Sequence, residues 1–267
     1  LMKRTTYIFI GILASVLVIL MAGVVYISFQ KSDRDSYILT FSDKLLQTEF
    51  SGVRAVKVYA SDTRHAWLEQ ACVNVVPSTD GKTRLFSPES EYLKISQDAD
   101  TLVICLDLTN YDLPEQKKKY LIPGLQAKGL QLTIEADANL AFLTNPIRGL
   151  RTNINGIKTD SLATHIQSGE VRLDSCEIRA LYVDGDGVTF NAHQSIIPYL
   201  YLDLDGVRNW GVHECTIGTE HLTGSETYHR NELQKGECKK MIWTPKKEDA
   251  VLHVTMKEKG CLVLQDE

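Results

Sequence analysis

The chain has 267 residues, 43% of them hydrophobic and 24% charged, with a formal net charge of -5. This composition excludes a wholly disordered chain and a polytopic membrane protein, and the acidic balance excludes a nucleic-acid binder that relies on a basic surface. The length allows one large domain or two ordinary ones, enough to bury a core without a disulfide framework.

The first element is apolar. Lys3 and Arg4 precede an uncharged run from Tyr7 to Phe29, followed by Gln30, Lys31 and Ser32. As a helix rising about 1.5 Å per residue, the run reaches about 35 Å and spans a bilayer core of about 30 Å. It is long for a signal-peptide core, and no small-x-small cleavage pattern follows, so an uncleaved signal anchor is favoured over a cleaved peptide. The basic flank orients the N-terminus inward. The expected order is a cytoplasmic stretch (1–6), a transmembrane anchor (7–29), a juxtamembrane linker (30–48), a main domain (49–225) and a capping segment (226–267). The protein is then a single-pass protein of the inner (cytoplasmic) membrane, with the bulk of the chain extracytoplasmic.

Residues 30–48 read as polar, with a short helix through Leu39, Phe41, Leu45 and Leu46. Strand patterns begin near residue 52, where Val56, Val58 and Ala60 face one way. Val73 to Val76, Leu93 to Ser96 and Leu102 to Leu108 read as further strands, and Pro77 to Gly81 as a turn. Glu115 to Lys119 reads as a charged loop.

Six cysteines occur, Cys72, Cys105, Cys176, Cys215, Cys238 and Cys261. An even count in an exported chain suggests disulfides, but no CxxC is present. Cys105 and Cys261 lie in apolar runs and read as buried strand positions, where cysteine acts as a small hydrophobe.

From residue 129 the chain repeats. Leu130 to Ile134 and Leu150 to Ile154 alternate alike, 20 residues apart. Four further segments align: Thr164 to Gly169, Leu181 to Asp186, Leu200 to Asp205 and Glu220 to Ser225, at offsets of 17, 19 and 20. A period near 19 with short strands and no amphipathic helix is met by a single-stranded right-handed parallel β-helix, in which each coil buries its inward side chains only by stacking on its neighbours. Ile166, Val183, Leu202 and Leu222 are the expected inward positions, and Glu220 also falls inward. A β-sandwich is the alternative, kept open by turn pairs such as Asn155-Gly156 and Asp205-Gly206. From Glu226 the period lapses. Ala250 to Thr255 and Cys261 to Leu264 read as a hairpin closing the stack.

An exported N-terminus, then Ser51-Gly52-Val53-Arg54-Ala55-Val56-Lys57, then Tyr92-Leu93-Lys94-Ile95-Ser96 leading into Asp98-Ala99-Asp100-Thr101-Leu102-Val103-Ile104, then short β-repeats, resembles the auto-transporter adhesin head GIN domain family of bacterial envelope proteins over about 50–225. Ser168-Gly169, Gly185-Asp186-Gly187, Asp205-Gly206 and Gly224-Ser225 stand as partial equivalents of that family's Ser-Gly turns. The resemblance implies a β-helical, non-enzymatic envelope protein and carries no catalytic residues.

The outward positions supply the candidate site. His165, Tyr182, Tyr201 and His221 align in one row, Asp184 and Asp203 in the next, Asp186 and Asp205 beyond. Aromatic rings beside carboxylates suit a sugar, whose apolar face meets a ring and whose hydroxyls donate to carboxylates. The same carboxylates suit Ca2+, which would relieve their repulsion, or acid–base cleavage of a glycoside. The plain alternative is a solvated solenoid face. Cys176, His193, His213 and Cys215 also recur at the coil spacing, but outer members of such a column lie about 9.6 Å apart, too far to share a zinc ion or a disulfide. No P-loop, dinucleotide fingerprint, HExxH or GxSxG occurs. The expected function is a membrane-anchored, non-enzymatic envelope scaffold or adhesion module, with a glycan or an envelope protein as partner. The alternative is a carbohydrate-binding or carbohydrate-cleaving β-helix using the Tyr/Asp ladder.

Overall fold

The computed structural model describes residues 13–23, 37–61, 67–109, 111, 124–227, 229–233 and 238–256. The chain divides into two units, Leu1–Ser36 and Tyr37–Glu267. In the first, residues 13–23 are helical, with Leu13, Leu17 and Leu20 exposed. Residues 7–12 and 24–29 of the expected anchor lie outside the described residues. No helix among the described residues is long and apolar enough to cross a membrane.

The second unit is all-β. Among the described residues, a nine-stranded sheet runs in the order Cys238–Pro245, Thr216–Gly224, Ile196–Asp203, Glu177–Asp186, Lys158–Gln167, Phe142–Asn145, Ala55–Ala60, Thr101–Leu106 and Leu93–Asp98. An eight-stranded sheet runs Val207–His213, Val188–His193, Glu170–Asp174, Arg151–Asn155, Cys72–Pro77, Gln131–Ala136, Thr83–Pro88 and Leu45–Phe50. Both sheets are mixed. Leu93–Asp98 pairs antiparallel with Thr101–Leu106, and Thr83–Pro88 pairs antiparallel with both Leu45–Phe50 and Gln131–Ala136. The other pairs in these sheets are parallel, so the hairpin connectivity of a sandwich is confined to the early strands.

The parallel strands alternate buried and exposed along their length, as a sheet with one covered face must. In the nine-stranded sheet Leu143, Thr164, Val183, Leu202, Leu222 and Trp243 are successive register partners. Val183, Leu202 and Leu222 are each at most 1% exposed, and Ile166 is fully buried, as the alternation required. Glu220 is buried at 3% between Leu200 and Met241 on the neighbouring strands. The eight-stranded sheet answers with Thr152, Val171, Phe190 and Trp210 in one row, and Ile154, Leu173, Ala192 and Val212 in another.

Corners repeat as strictly as strands. Gly156, Ser175, Gln194 and Glu214 all have positive φ, between 46° and 66°. The residue after each, Ile157, Cys176, Ser195 or Cys215, is buried. Ser195 Oγ takes the Cys176 amide at 3.1 Å and donates to the His193 carbonyl at 2.8 Å, so a hydroxyl in this inward row is satisfied locally.

Three expectations are corrected. Leu39 lies in strand Tyr37–Thr40 and Leu45 and Leu46 in strand Leu45–Phe50, with no helix among them; Leu39 and Phe41 are buried. The stack continues past Ser225, because Cys238–Pro245 pairs in parallel with Thr216–Gly224 from Ile217 opposite Cys238. Leu252–Met256 pairs in parallel with His229–Leu233; the expected partner, Cys261 to Leu264, lies outside the described residues, as does Glu115 to Lys119.

Candidate functional site

The exposed face of the nine-stranded sheet carries the aromatic row. Tyr182, Tyr201 and His221 are register partners on three consecutive strands. The Tyr182 and Tyr201 rings are parallel, with centroids 4.4 Å apart and planes within 8°. Tyr201 and His221 repeat that spacing at 4.4 Å and 12°. Burial pushes the Tyr201 hydroxyl above its usual range, helped by the neighbouring Tyr182 phenol. Burial and the Lys240 ammonium push the His221 imidazole down, so the ring is neutral at pH 7. The stack sits edge-on to solvent and covers both faces of Tyr201. A sugar cannot lie flat on that ring.

His165 is not in this row. Lys158–Gln167 pairs with Glu177–Asp186 at a constant offset of 19, not 17, so His165 faces Asp184 and Ala163 faces Tyr182. His165 Nδ1 lies 2.8 Å from Asp184 Oδ1 with both side chains more than half exposed. A slip of two residues keeps every inward side chain inward, so alternation alone cannot distinguish the two registers.

Each of the four aspartates has its own basic neighbour. Asp184 has His165, and Asp186 has Arg208 at 4.0 Å. Lys246 Nζ reaches both Asp203 Oδ1 at 2.6 Å and Asp205 Oδ2 at 3.0 Å. Burial raises the Asp205 carboxyl, but the Ser225 amide, donating at 2.6 Å, and Lys246 outweigh it and hold it below the ordinary range. Like-charge repulsion, the motive for placing Ca2+ here, is thus relieved by side chains. Among the described residues no group of three or more His, Cys, Asp or Glu side chains could hold a metal ion.

The second candidate set separates. His193 and His213 are register neighbours, but Asp174, not Cys176, continues their row. His193 Nδ1 lies 3.1 Å from Asp174 Oδ1, and its Nε2 3.6 Å from Glu214 Oε2. Cys176 and Cys215 turn inward at the corner with Ser195 between them, and burial pushes the Cys176 thiol up. Both are free, as are Cys72, Cys105 and Cys238; Cys261 lies outside the described residues.

A polar row on the eight-stranded sheet went unrecognised in the sequence. Asn153 Nδ2 donates to Asn74 Oδ1 at 2.8 Å, and Arg172 and Asn191 continue the row. These residues line a shallow groove with Asp174, His193 and His213. The signal was present: Asn153, Arg172 and Asn191 are spaced by 19 residues each.

No family model matches the chain, and no curated protein matches it by sequence. The structure is similar to a candidate adhesin from Bacteroides fragilis, at 13% identity over 82% of this chain and 96% of that one, with a TM-score of 0.43. It is similar to a candidate cell adhesion protein from Clostridium sporogenes, at 9% identity over 81% of this chain and 99% of that one, TM-score 0.29. A candidate lipid binding protein from Parabacteroides distasonis aligns at 10% identity over 82% and 99%, TM-score 0.34. The adhesin names agree with the weak sequence resemblance to GIN head domains. At these scores no residue role passes to this chain.

Proposed function

We propose that the protein is a non-enzymatic, adhesion-like envelope module: a right-handed single-chain parallel β-helix held outside the inner membrane by a signal anchor at 7–29. The observation that carries the reading is the unbroken parallel register from Phe142–Asn145 to Cys238–Pro245. Such a stack buries its apolar rows and leaves a wide outer face of aromatic and charged side chains, suited to contact with a surface. Lys3 and Arg4 ahead of the apolar run support an inward N-terminus. The partner is a glycan or an envelope protein.

Protease added to intact spheroplasts that produce the full chain tests the placement. The fragment beyond residue 30 should be digested from outside and the membrane fraction should retain the N-terminal piece. A chain recovered whole in the cytosolic fraction sinks the placement. Beads coated with the full chain in detergent should be retained on purified envelope material; equal retention of uncoated beads sinks the adhesive role.

A second reading has its own support: the Tyr182, Tyr201 and His221 stack lies beside Asp184 and Asp203 on an exposed face, the mixture of rings and acceptors used for carbohydrate. On that reading the Tyr/Asp ladder binds a glycan.

A further inference from the structure

The aromatic row has a missing member. Phe142, Ala163, Tyr182, Tyr201 and His221 are successive register partners on five adjacent strands. Strands in a sheet lie about 4.8 Å apart, so Phe142 and Tyr182 project from backbones about 9.6 Å apart, with only a methyl group between them. Both are open to solvent, Phe142 at 41% and Tyr182 at 43%. Tyr201 covers one face of Tyr182, so the other face is turned toward the gap over Ala163.

We propose that the gap over Ala163 seats one neutral hexopyranose ring between Phe142 and Tyr182. This rests on the carbohydrate reading above and relocates it, since the stacked rings themselves leave no face for a sugar. Carbon atoms in contact sit about 3.5–4.0 Å apart, so a flat aromatic ring would need only about 7–8 Å between the walls. The gap is wider, and a puckered pyranose with axial hydrogens on both faces fills it better. Polar groups border the seat along the same strand. His165, bridged to Asp184 at 2.8 Å, lies two residues to one side, and the exposed Ser161 two residues to the other. Asp184 accepts hydroxyl hydrogens and disfavours a uronic or sialic acid, which selects a neutral sugar.

The test is a glycan array rich in neutral hexopyranoses, probed with the full chain in detergent. The best oligosaccharide is then titrated against variants, with indole as the flat-ring control. Ala163→Phe places a ring in the gap and should weaken binding about tenfold or more, the loss expected when one ring contact is blocked. Its melting temperature should not fall, which separates a filled seat from a damaged fold. Phe142→Ala and Tyr182→Ala should each weaken binding severalfold, while Asp203→Asn leaves it unchanged. Wild-type binding that survives Ala163→Phe overturns the seat, and if Asp203→Asn or Tyr201→Ala then abolishes it, the ladder reading stands alone. Tighter binding of indole than of any sugar overturns the choice of ligand. Failure of the wild type to bind any glycan overturns the seat together with the carbohydrate reading, and leaves the anchored module untouched.

Discussion

Lys246 Nζ sits 2.6 Å from Asp203 Oδ1, although 43 residues separate them in the chain. The same ammonium reaches Asp205, so one cation serves two carboxylates that would otherwise repel. Burial works against the charged ammonium, but the two carboxylates outweigh it and raise its affinity for the proton. A divalent ion would have to displace this group. Millimolar calcium should therefore move the melting temperature of the wild type by no more than about 1 °C, since a ligand stabilises only when its concentration exceeds its dissociation constant. In Lys246→Ala the vacated carboxylates should make the melting temperature rise with calcium. A calcium-dependent rise already present in the wild type contradicts the assignment of Lys246 as counterion.

Asn145 is fully buried and polar. Its Nδ2 donates to the Leu150 carbonyl at 3.1 Å and to Thr152 Oγ1 at 3.3 Å, and its Oδ1 accepts from the Ile147 amide at 3.1 Å. The side chain thus satisfies backbone groups of the turn that links the two sheets. Asn145→Ala leaves these groups buried without a partner and should cost about 1–3 kcal/mol, measured by urea unfolding. Thr152→Val, which removes a single weak acceptor, should cost less.

Two glycines with positive φ should respond very differently to a methyl group. At Gly185, φ is +140° and a Cβ would lie 1.8 Å from the Ile166 carbonyl oxygen. That oxygen belongs to the neighbouring strand and cannot withdraw, so Gly185→Ala should cost more than about 3 kcal/mol or prevent folding. At Gly52, φ is +64° and nothing lies within 4 Å. Gly52→Ala should cost only the left-handed backbone penalty, about 1–2 kcal/mol. Equal losses in the two variants would show that backbone conformation, not the close approach, sets the requirement.

Arg84 ties three strands together through Glu49, Asp80 and Glu135. Its guanidinium, with the Lys82 amide, lowers the Asp80 carboxyl to about 2. Glu49 is lowered by Lys82 first and Arg84 second. A carboxylate whose folded pKa lies below its unfolded value adds stability above the unfolded pKa and loses it as pH falls through the folded pKa. The urea midpoint should therefore decline as pH is lowered from about 4 to about 2. Arg84→Met should lower the midpoint at pH 7 and flatten the acid slope; an unaltered slope would mean that other carboxylates govern it.

Parity was legible in the sequence and register was not. Alternation correctly turned Val183, Leu202, Leu222 and even Glu220 inward. It could not choose between offsets of 17 and 19, because both keep the same faces. The deciding features lie at the corners, where Ser175, Gln194 and Glu214 adopt positive φ without being glycine. Nothing in those residue types announces a left-handed turn, whereas Gly156 in the same row would have. The Tyr182–Tyr201–His221 stack was visible because its offsets match the true coil length. The early strands were harder to read, because Cys72–Pro77 pairs with Gln131–Ala136, 59 residues later, and no local pattern carries a contact that distant. Leu39 and Phe41 suggested a helix only because their spacing with Leu45 and Leu46 was ambiguous between the two periods.

The constant offset of 19 between successive strands such as Lys158–Gln167 and Glu177–Asp186 has a mechanical meaning. Tension applied along the stack strips one strand's hydrogen bonds at a time, beginning at an end and leaving the next layer intact. Each release frees about 19 residues, or roughly 65 Å of extended chain at about 3.3–3.6 Å per residue. A tether of this kind yields in small equal steps and dissipates a pull without losing its whole fold at once.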